Sequence, residues 1–252
     1  MELNLKDRAA LVTGAGSGLG EAIARALAAE GCRVIVIDRD TPAAARAASS
    51  IASGGFSTHA VTVDVTDAAA VESAFTALRS EHGPPDILVN AAGLLSTGHV
   101  ADLPADEFAR VARVNLEGVL HCVKAVIPAM KAAHYGRIIN IASVSAMRGG
   151  GSVGNTLYGA TKAGVAAMSM GLARELGPDG ITVNAVAPAI VDTAMTHAAL
   201  TTEARARIMA RIPVGRFGLP SDVADLVVFL ASDRSSFITG AVIPVDGGIL
   251  TT

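Results

Sequence analysis

Residues 158–162 read Tyr-Gly-Ala-Thr-Lys, which sets a phenol and an ammonium one helical turn apart on the same face. An isolated tyrosine titrates near pH ~10 and is a poor base at neutral pH, but a neighbouring cation favours the phenolate and brings that value towards the working range. The pair therefore suits proton exchange with an alcohol or a ketone. The same spacing also arises on exposed helices, where the tyrosine packs and the lysine is solvated, so the rest of the chain must decide between the two.

A second chemical signal lies near the beginning. An apolar run leads into Thr13-Gly14-Ala15-Gly16-Ser17-Gly18-Leu19-Gly20, and an alanine-rich helical stretch follows. Glycines there permit a tight turn and let backbone N–H groups approach a pyrophosphate at a positive helix N-terminus. The spacing of Gly14, Gly18 and Gly20 departs from the simple G-x-G-x-x-G form. The next apolar run, Arg33 to Ile37, ends in Asp38, near the ~20-residue offset at which an acid binds an adenosine ribose. That carboxylate can accept hydrogen bonds from both ribose hydroxyls and would repel a 2′-phosphate, which favours NAD over NADP. Arg39 could pair with such a phosphate, whereas Ser17 is not basic and adds nothing to that pairing. Further on, Asp64 either reaches an adenine amino group, with Val65 adding a backbone contact, or caps the helix that begins near Asp67. Asn90-Ala91-Ala92-Gly93 is small enough for a ring to lie against the backbone.

These residues need a scaffold, and the hydrophobic pattern supplies one. Short apolar runs at Ala9–Val12, Arg33–Ile37, Ala60–Val63, Ile87–Val89, Arg137–Ile141, Thr182–Val186 and Ala241–Val245 alternate with alanine-rich helical stretches. This predicts an α/β, Rossmann-type doubly wound fold, with a seven-stranded parallel sheet and helices on both faces, whose ligands bind at the carboxyl ends of the strands. With 252 residues, 51% of them hydrophobic, one large domain over 1–252 is expected. The segment at about 189–218 leaves the sheet after Pro188, and its length beyond a strand end reads as a substrate lid.

Composition excludes several other classes. A net charge of -3 with scattered Lys and Arg gives no field for nucleic acid. No apolar run approaches the ~20 residues of a membrane span, and the first residues do not read as a leader. Cys32 and Cys122 stand far apart, outside any Cys-x-x-Cys or Cys/His pattern, so no metal is expected and a reducing cytoplasm is the simplest setting.

Taken in order, Thr13-Gly14-x-x-x-Gly18-x-Gly20, Asn90-Ala91-Ala92-Gly93, Asn115, Ser143, Tyr158-x-x-x-Lys162, Asn184, Pro188 and Thr193 resemble the short-chain dehydrogenase/reductase family across essentially the whole chain. The resemblance implies that Ser143 and Tyr158 touch the substrate oxygen and that Tyr158 passes the proton. It implies that Lys162 binds the nicotinamide ribose and lowers the Tyr158 pKa, and that Asn115 holds a water linking Lys162 to solvent. Asn90 and Gly93 would border the adenosine side of the cofactor, while Val191 and Thr193 would contact the carboxamide. Pro188-Ala189 stands where the family usually has Pro-Gly, a change that a residue as small as alanine should tolerate.

The glycine-rich loop between Ser143 and Tyr158 is similar to those of bacterial polyol, sugar and small secondary-alcohol dehydrogenases, although 3-oxoacyl-carrier-protein reductases have similar overall sequences. Those reductases typically use NADPH and dock an acidic carrier on basic residues, and no basic cluster is evident around the expected pocket. Leu94, Ser96, Met147 and Val153 are the expected substrate-side residues, and the substrate is expected to be a small molecule. A dinucleotide-binding regulator without turnover would need the glycine turn and Asp38 but not Ser143, Tyr158, Lys162 and Asn115 together. The resemblance further implies a homotetramer, paired through the helices bearing Asn115 and Tyr158 and assembled through the final strand near Val245-Asp246-Gly247-Gly248.

Overall fold

The computed structural model describes residues 2–151 and 153–251. The first part of the chain alternates β1 (Ala9–Thr13), α1 (Gly18–Ala29), β2 (Arg33–Asp38), α2 (Thr41–Ala52), β3 (Thr58–Thr62), α3 (Ala68–His82) and β4 (Ile87–Asn90). It continues through α4 (Glu107–Ala112), a π-helical turn over Arg113–Glu117, α5 (Gly118–Ala133), β5 (Gly136–Ile141), α6 (Ser145–Arg148) and α7 (Thr156–Leu176). The last part comprises β6 (Ile181–Pro188), α8 (Ala194–Ala199), α9 (Thr202–Met209), α10 (Pro220–Ala231) and β7 (Val242–Val245).

All seven strands join one parallel sheet in the order β3-β2-β1-β4-β5-β6-β7. The order reverses at β1, which pairs with β2 on one side and β4 on the other, and a crevice opens at that switch point. Strand register explains why the third strand lies earlier in the chain than the apolar run predicts. Edge strand β3 pairs with β2 from Val34↔Thr58 to Asp38↔Thr62, so Val63 lies past the ladder rather than within it.

Because successive side chains point to opposite faces of a strand, the sheet feeds two cores. Val12, Val34, Val36 and Val89 pack with Ile23, Leu27, Ile51 and Val227 from α1, α2 and α10. Their neighbours Leu11, Ile35, Ile37 and Leu88 pack with Phe75, Val123, Val126 and Val165 from α3, α5 and α7. Burial on both faces is why these strands read as continuous apolar runs instead of alternating ones.

The segment 189–218 has structure of its own. It forms α8 and α9, closes through a bridge between Val191 and Gly218, and buries Ile208, Ile212 and Phe217 with Ile249 in a small core of its own. Within it Asp192 accepts from Arg205 Nη2 at 3.0 Å and pairs with His197 at 2.9 Å.

Candidate active site

A cavity of about 460 Å³ lies across the carboxyl ends of the strands. Its dinucleotide end starts at the turn between β1 and α1. Gly14 has φ +64°, and a Cβ there would stand 2.6 Å from the Ala92 Cα, so the turn packs directly on the backbone after β4. Gly18, at φ +57°, would direct a Cβ into open space and leaves a cradle against the first turn of α1. The N-cap Ser17 makes no side-chain capping bond, whereas α2, α3 and α7 are capped by Asp40, Asp67 and Asn155. The first N–H groups of α1 are thus left to an anion, and Gly14, Ser17, Gly18 and Leu19 all line the cavity beside them.

Asp38 caps the far side of this turn from the tip of β2. Its Oδ2 accepts from Gly16 N–H at 2.9 Å and its Oδ1 from Asp40 N–H at 3.0 Å, while Arg39 lines the cavity next to it. Each carboxylate oxygen keeps acceptor capacity after those bonds. Asp64 and Val65 also line the cavity. The two readings of Asp64 separate here, because Asp67 caps α3 while Asp64 accepts from Thr66 N–H and Oγ1 at 2.9 and 2.8 Å. The Thr66 backbone bond is the main reason that the Asp64 carboxyl titrates below its usual range.

Tyr158 is placed by the start of α7. Asn155 Oδ1 accepts from Tyr158 N–H at 3.0 Å, and Asn155 is itself held by Ser96, whose Oγ and carbonyl accept from its Nδ2 and N–H at 2.9 and 2.8 Å. Ser143, just past β5, shares the cavity with Tyr158 and Lys162, and its Oγ accepts from Ser145 N–H at 3.1 Å. Burial pushes the Tyr158 hydroxyl up to about 12, and a hydrogen bond with Ser143 pulls the other way. Lys162 is driven down to about 8 by burial, and its Nζ donates to the Ile141 carbonyl at 2.7 Å. Burial outweighs any lowering of the Tyr158 pKa that Lys162 supplies. The ammonium stands 5.9 Å from the phenol ring centroid, bound to the end of β5, and desolvation governs both groups.

Four sequence assignments need correction. Asn115 is fully buried in the π-helical turn and does not line the cavity. Its Oδ1 accepts from Leu94 N–H at 2.8 Å and its Nδ2 donates to Leu94 O and Thr161 Oγ1, so the side chain holds the β4 loop onto α7. Asn90 faces along the sheet, where its Nδ2 donates to Asn140 Oδ1 at 2.8 Å and Asn140 donates in turn to Ser169. Ser96 is 2% exposed and occupied with Asn155, outside the cavity wall. Met147 is 47% exposed and also lies outside that wall.

The remaining candidates share one cavity wall. Ala91, Gly93, Leu94, Val153, Pro188, Val191 and Thr193 line the cavity. Val191 and Thr193 are interlocked, since Thr196 Oγ1 donates to Val191 O at 2.6 Å and Thr193 Oγ1 caps α8. Ala189 adopts an ordinary backbone conformation and donates its N–H to Val245 O at 3.0 Å, so the methyl in place of the family's glycine is accommodated. Asn155 was missed, although an Asn three residues before the tyrosine is a recognisable N-cap signal. Arg148, which lines the cavity, carries no such signal.

A family model described as enoyl-(acyl carrier protein) reductase matches residues 14–250. The chain is 41% identical over 247 residues to the 3-oxoacyl-[acyl-carrier-protein] reductase FabG of Escherichia coli (strain K12), covering 98% of this chain and 99% of that one. It is 40% identical over 249 residues to y4mP, an uncharacterized short-chain type dehydrogenase/reductase of Sinorhizobium fredii, with 98% of each covered. Among solved structures, a provisionally named NAD(P)-dependent gluconate 5-dehydrogenase from Beutenbergia cavernae, with NADP bound at low occupancy, superposes with a TM-score of 0.94 at 37% identity over 100% of both chains.

Proposed function

The chain belongs to the short-chain dehydrogenase/reductase family of NAD(P)-dependent oxidoreductases, and on that premise we propose that it acts on the hydroxyl or keto group of a small secondary alcohol, polyol or sugar-like substrate with NAD(H). The observation that carries this reading is one cavity holding Ser143, Tyr158 and Lys162 at one end and Asp38 at the other. The Gly18 cradle and the uncapped start of α1 fit a pyrophosphate; Asp38 fits the adenosine ribose, Asp64 and Val65 the adenine, and Ala91 and Gly93 the stretch between. Pro188, Val191 and Thr193 would hold the nicotinamide, and Lys162 its ribose. When bound, the dinucleotide supplies the hydride acceptor or donor.

The chain's own residues handle the proton. Ser143 donates a hydrogen bond to the substrate oxygen and fixes its position. Tyr158 Oη takes the hydroxyl proton during oxidation and returns it during reduction, and the Lys162 ammonium stabilises the phenolate that forms in between. Asn155 and Asn115 are positioning residues, one for the start of α7 and the other for its packing on the β4 loop.

Asp38 supports NAD over NADP, because its charge is fixed in the cavity by the Gly16 and Asp40 N–H groups where a 2′-phosphate would meet it. A second reading, reduction of a 3-oxoacyl thioester with NADPH, is favoured by the 41% identity to a reductase of that name over nearly its whole length. Initial rates with both dinucleotides separate the two. The expected result is NAD+ reduction with a polyol, sugar or hydroxy acid and a marked shift towards NADP+ in Asp38→Ala; strong NADPH-dependent turnover of a β-ketoacyl thioester by the unaltered chain would sink the NAD assignment. Assembly as a homotetramer belongs to the same reading and is supported by exposed Phe108, Leu120 and Met170 on α4, α5 and α7. Light scattering that gave a monomer at micromolar concentration would remove it.

A further inference from the structure

The Asn155 cap on α7 is the inner end of a longer chain of polar side chains. Glu107 opens α4 with its side chain buried, and Arg110 donates to both of its carboxylate oxygens, from Nε at 2.8 Å and from Nη2 at 2.9 Å. The same carboxylate accepts from the Ser96 hydroxyl. Ser96 Oγ accepts in turn from Asn155 Nδ2 at 2.9 Å, and Asn155 Oδ1 from the Tyr158 N–H at 3.0 Å. Tyr158 is the third residue of α7, where a backbone N–H has no carbonyl of its own helix to bind, so the Asn155 oxygen is what satisfies it.

The direction of these bonds matters, because Ser96 and Asn155 can each donate or accept. An ionised carboxylate only accepts, and hydrogen bonds from Arg110 and Ser96 hold the Glu107 carboxyl down to about 2, so it is ionised across the neutral range. The single Ser96 hydroxyl proton is thereby committed to Glu107, and the Ser96 oxygen is left to accept from an amide NH2. Asn155 must then turn its own oxygen towards α7. With that amide reversed, its NH2 would meet the Tyr158 N–H, donor against donor, and the cap would be lost. The Tyr158 ring rests on the same loop, since a Cβ at Gly154 would run into it, so a shift of this backbone moves the phenol.

We propose that Glu107 is a positioning residue for Tyr158, acting through Ser96 and Asn155: its carboxylate sets the donor direction of the chain and so holds the first turn of α7 where the phenol meets Ser143. The inference rests on the oxidoreductase reading above and adds to it a residue on another helix. A small displacement of an acid/base group is enough to cost a large part of its rate.

Labelling with [15N]tyrosine tests the coupling without reference to turnover, because the chain has only two tyrosines and so gives two amide signals. The Tyr135 N–H, bound to the Met130 carbonyl at 3.1 Å, is the internal control. Glu107→Ala should speed hydrogen exchange of the Tyr158 amide by about 5- to 30-fold, the range of a lost helix cap, with Tyr135 unchanged. Glu107→Gln, which keeps a carbonyl for Ser96, should recover part of the protection. Glu107→Ala combined with Asn155→Ala should exchange no faster than Asn155→Ala alone, because both act on one bond. With the polyol, sugar or hydroxy acid that supports NAD+ reduction, Glu107→Ala should lower kcat about tenfold at an unchanged KM. Unchanged Tyr158 exchange in Glu107→Ala, additive effects in the double variant, or faster exchange with kcat intact would each overturn the proposal. If Glu107→Ala also loosens Tyr135, Ser96→Ala, which removes one oxygen, takes its place under the same criteria. Exchange that responds as expected in a chain that turns over none of these substrates would leave the coupling standing and remove the proposed reaction instead.

Discussion

At its dinucleotide end the cavity is walled mainly by backbone: the turn from Gly14 to Gly20, the residues after β4 and one anchored carboxylate, all at the tips of paired strands. At its substrate end it is walled by side chains on α6, the glycine-rich loop and the segment after Pro188, which has a separate core of only a few buried residues. Backbone fixed by a sheet presents the same donors whatever the neighbouring side chains are. Side chains on loops can change without disturbing that sheet, so under the proposed function recognition of the common dinucleotide and discrimination among substrates fall to different physical parts of one pocket.

Tyr158 sits where the two parts meet, and removing its hydroxyl should have the largest effect. Tyr158→Phe should lower turnover by about 10²–10⁴-fold while dinucleotide titration stays near that of the unaltered chain. Turnover within about tenfold of wild type would end the acid/base assignment.

Gly14→Ala attacks the backbone end alone. The new methyl combines a left-handed φ with backbone contact at 2.6 Å, so strain of about 1–2 kcal/mol is joined by a displaced turn. Fluorescence titration with NADH should show affinity reduced at least about tenfold, the equivalent of ~1.4 kcal/mol. Unchanged affinity would mean that this turn does not cradle the dinucleotide.

The last expected effect is electrostatic and is read as a pH dependence. Burial places Lys162 at about 8 in the folded chain against an ordinary 10.5, so between these values the unfolded state holds more protons and stability rises with pH. Tyr158 has the opposite sign: raised from 10 to about 12, it lets stability fall across that higher window. Urea unfolding at several pH values should therefore show the stability advantage of Lys162→Met over wild type shrinking from about pH 8 to 10.5. A gap independent of pH would show that Lys162 is not buried as its bond to Ile141 implies.

Much of this is legible in the sequence. The seven strands are contiguous apolar runs, the glycine turn lies between one run and a helical stretch, and Tyr158 and Lys162 are one turn apart. Each is a short-range pattern. The failures share the opposite property. Asn90 is drawn into the sheet because register sets it opposite Asn140, and Asn115 and Ser96 are taken up by Leu94 and Asn155 across the β4 loop–α7 contact. Met147 and Arg148 are adjacent in the chain, yet only Arg148 lines the cavity.

The sequence by itself determined the alternation of strands and helices, the glycine turn, the acid at the end of β2 and the helical face bearing the phenol and the ammonium, because backbone conformation and side-chain periodicity are local. The tertiary structure decided that Lys162 is held by Ile141, that Asn155 fixes the start of α7, and that arginines from two distant segments share one cavity. Those outcomes depend on strand register and on which loops burial brings together, and neither is written in the spacing of any one segment.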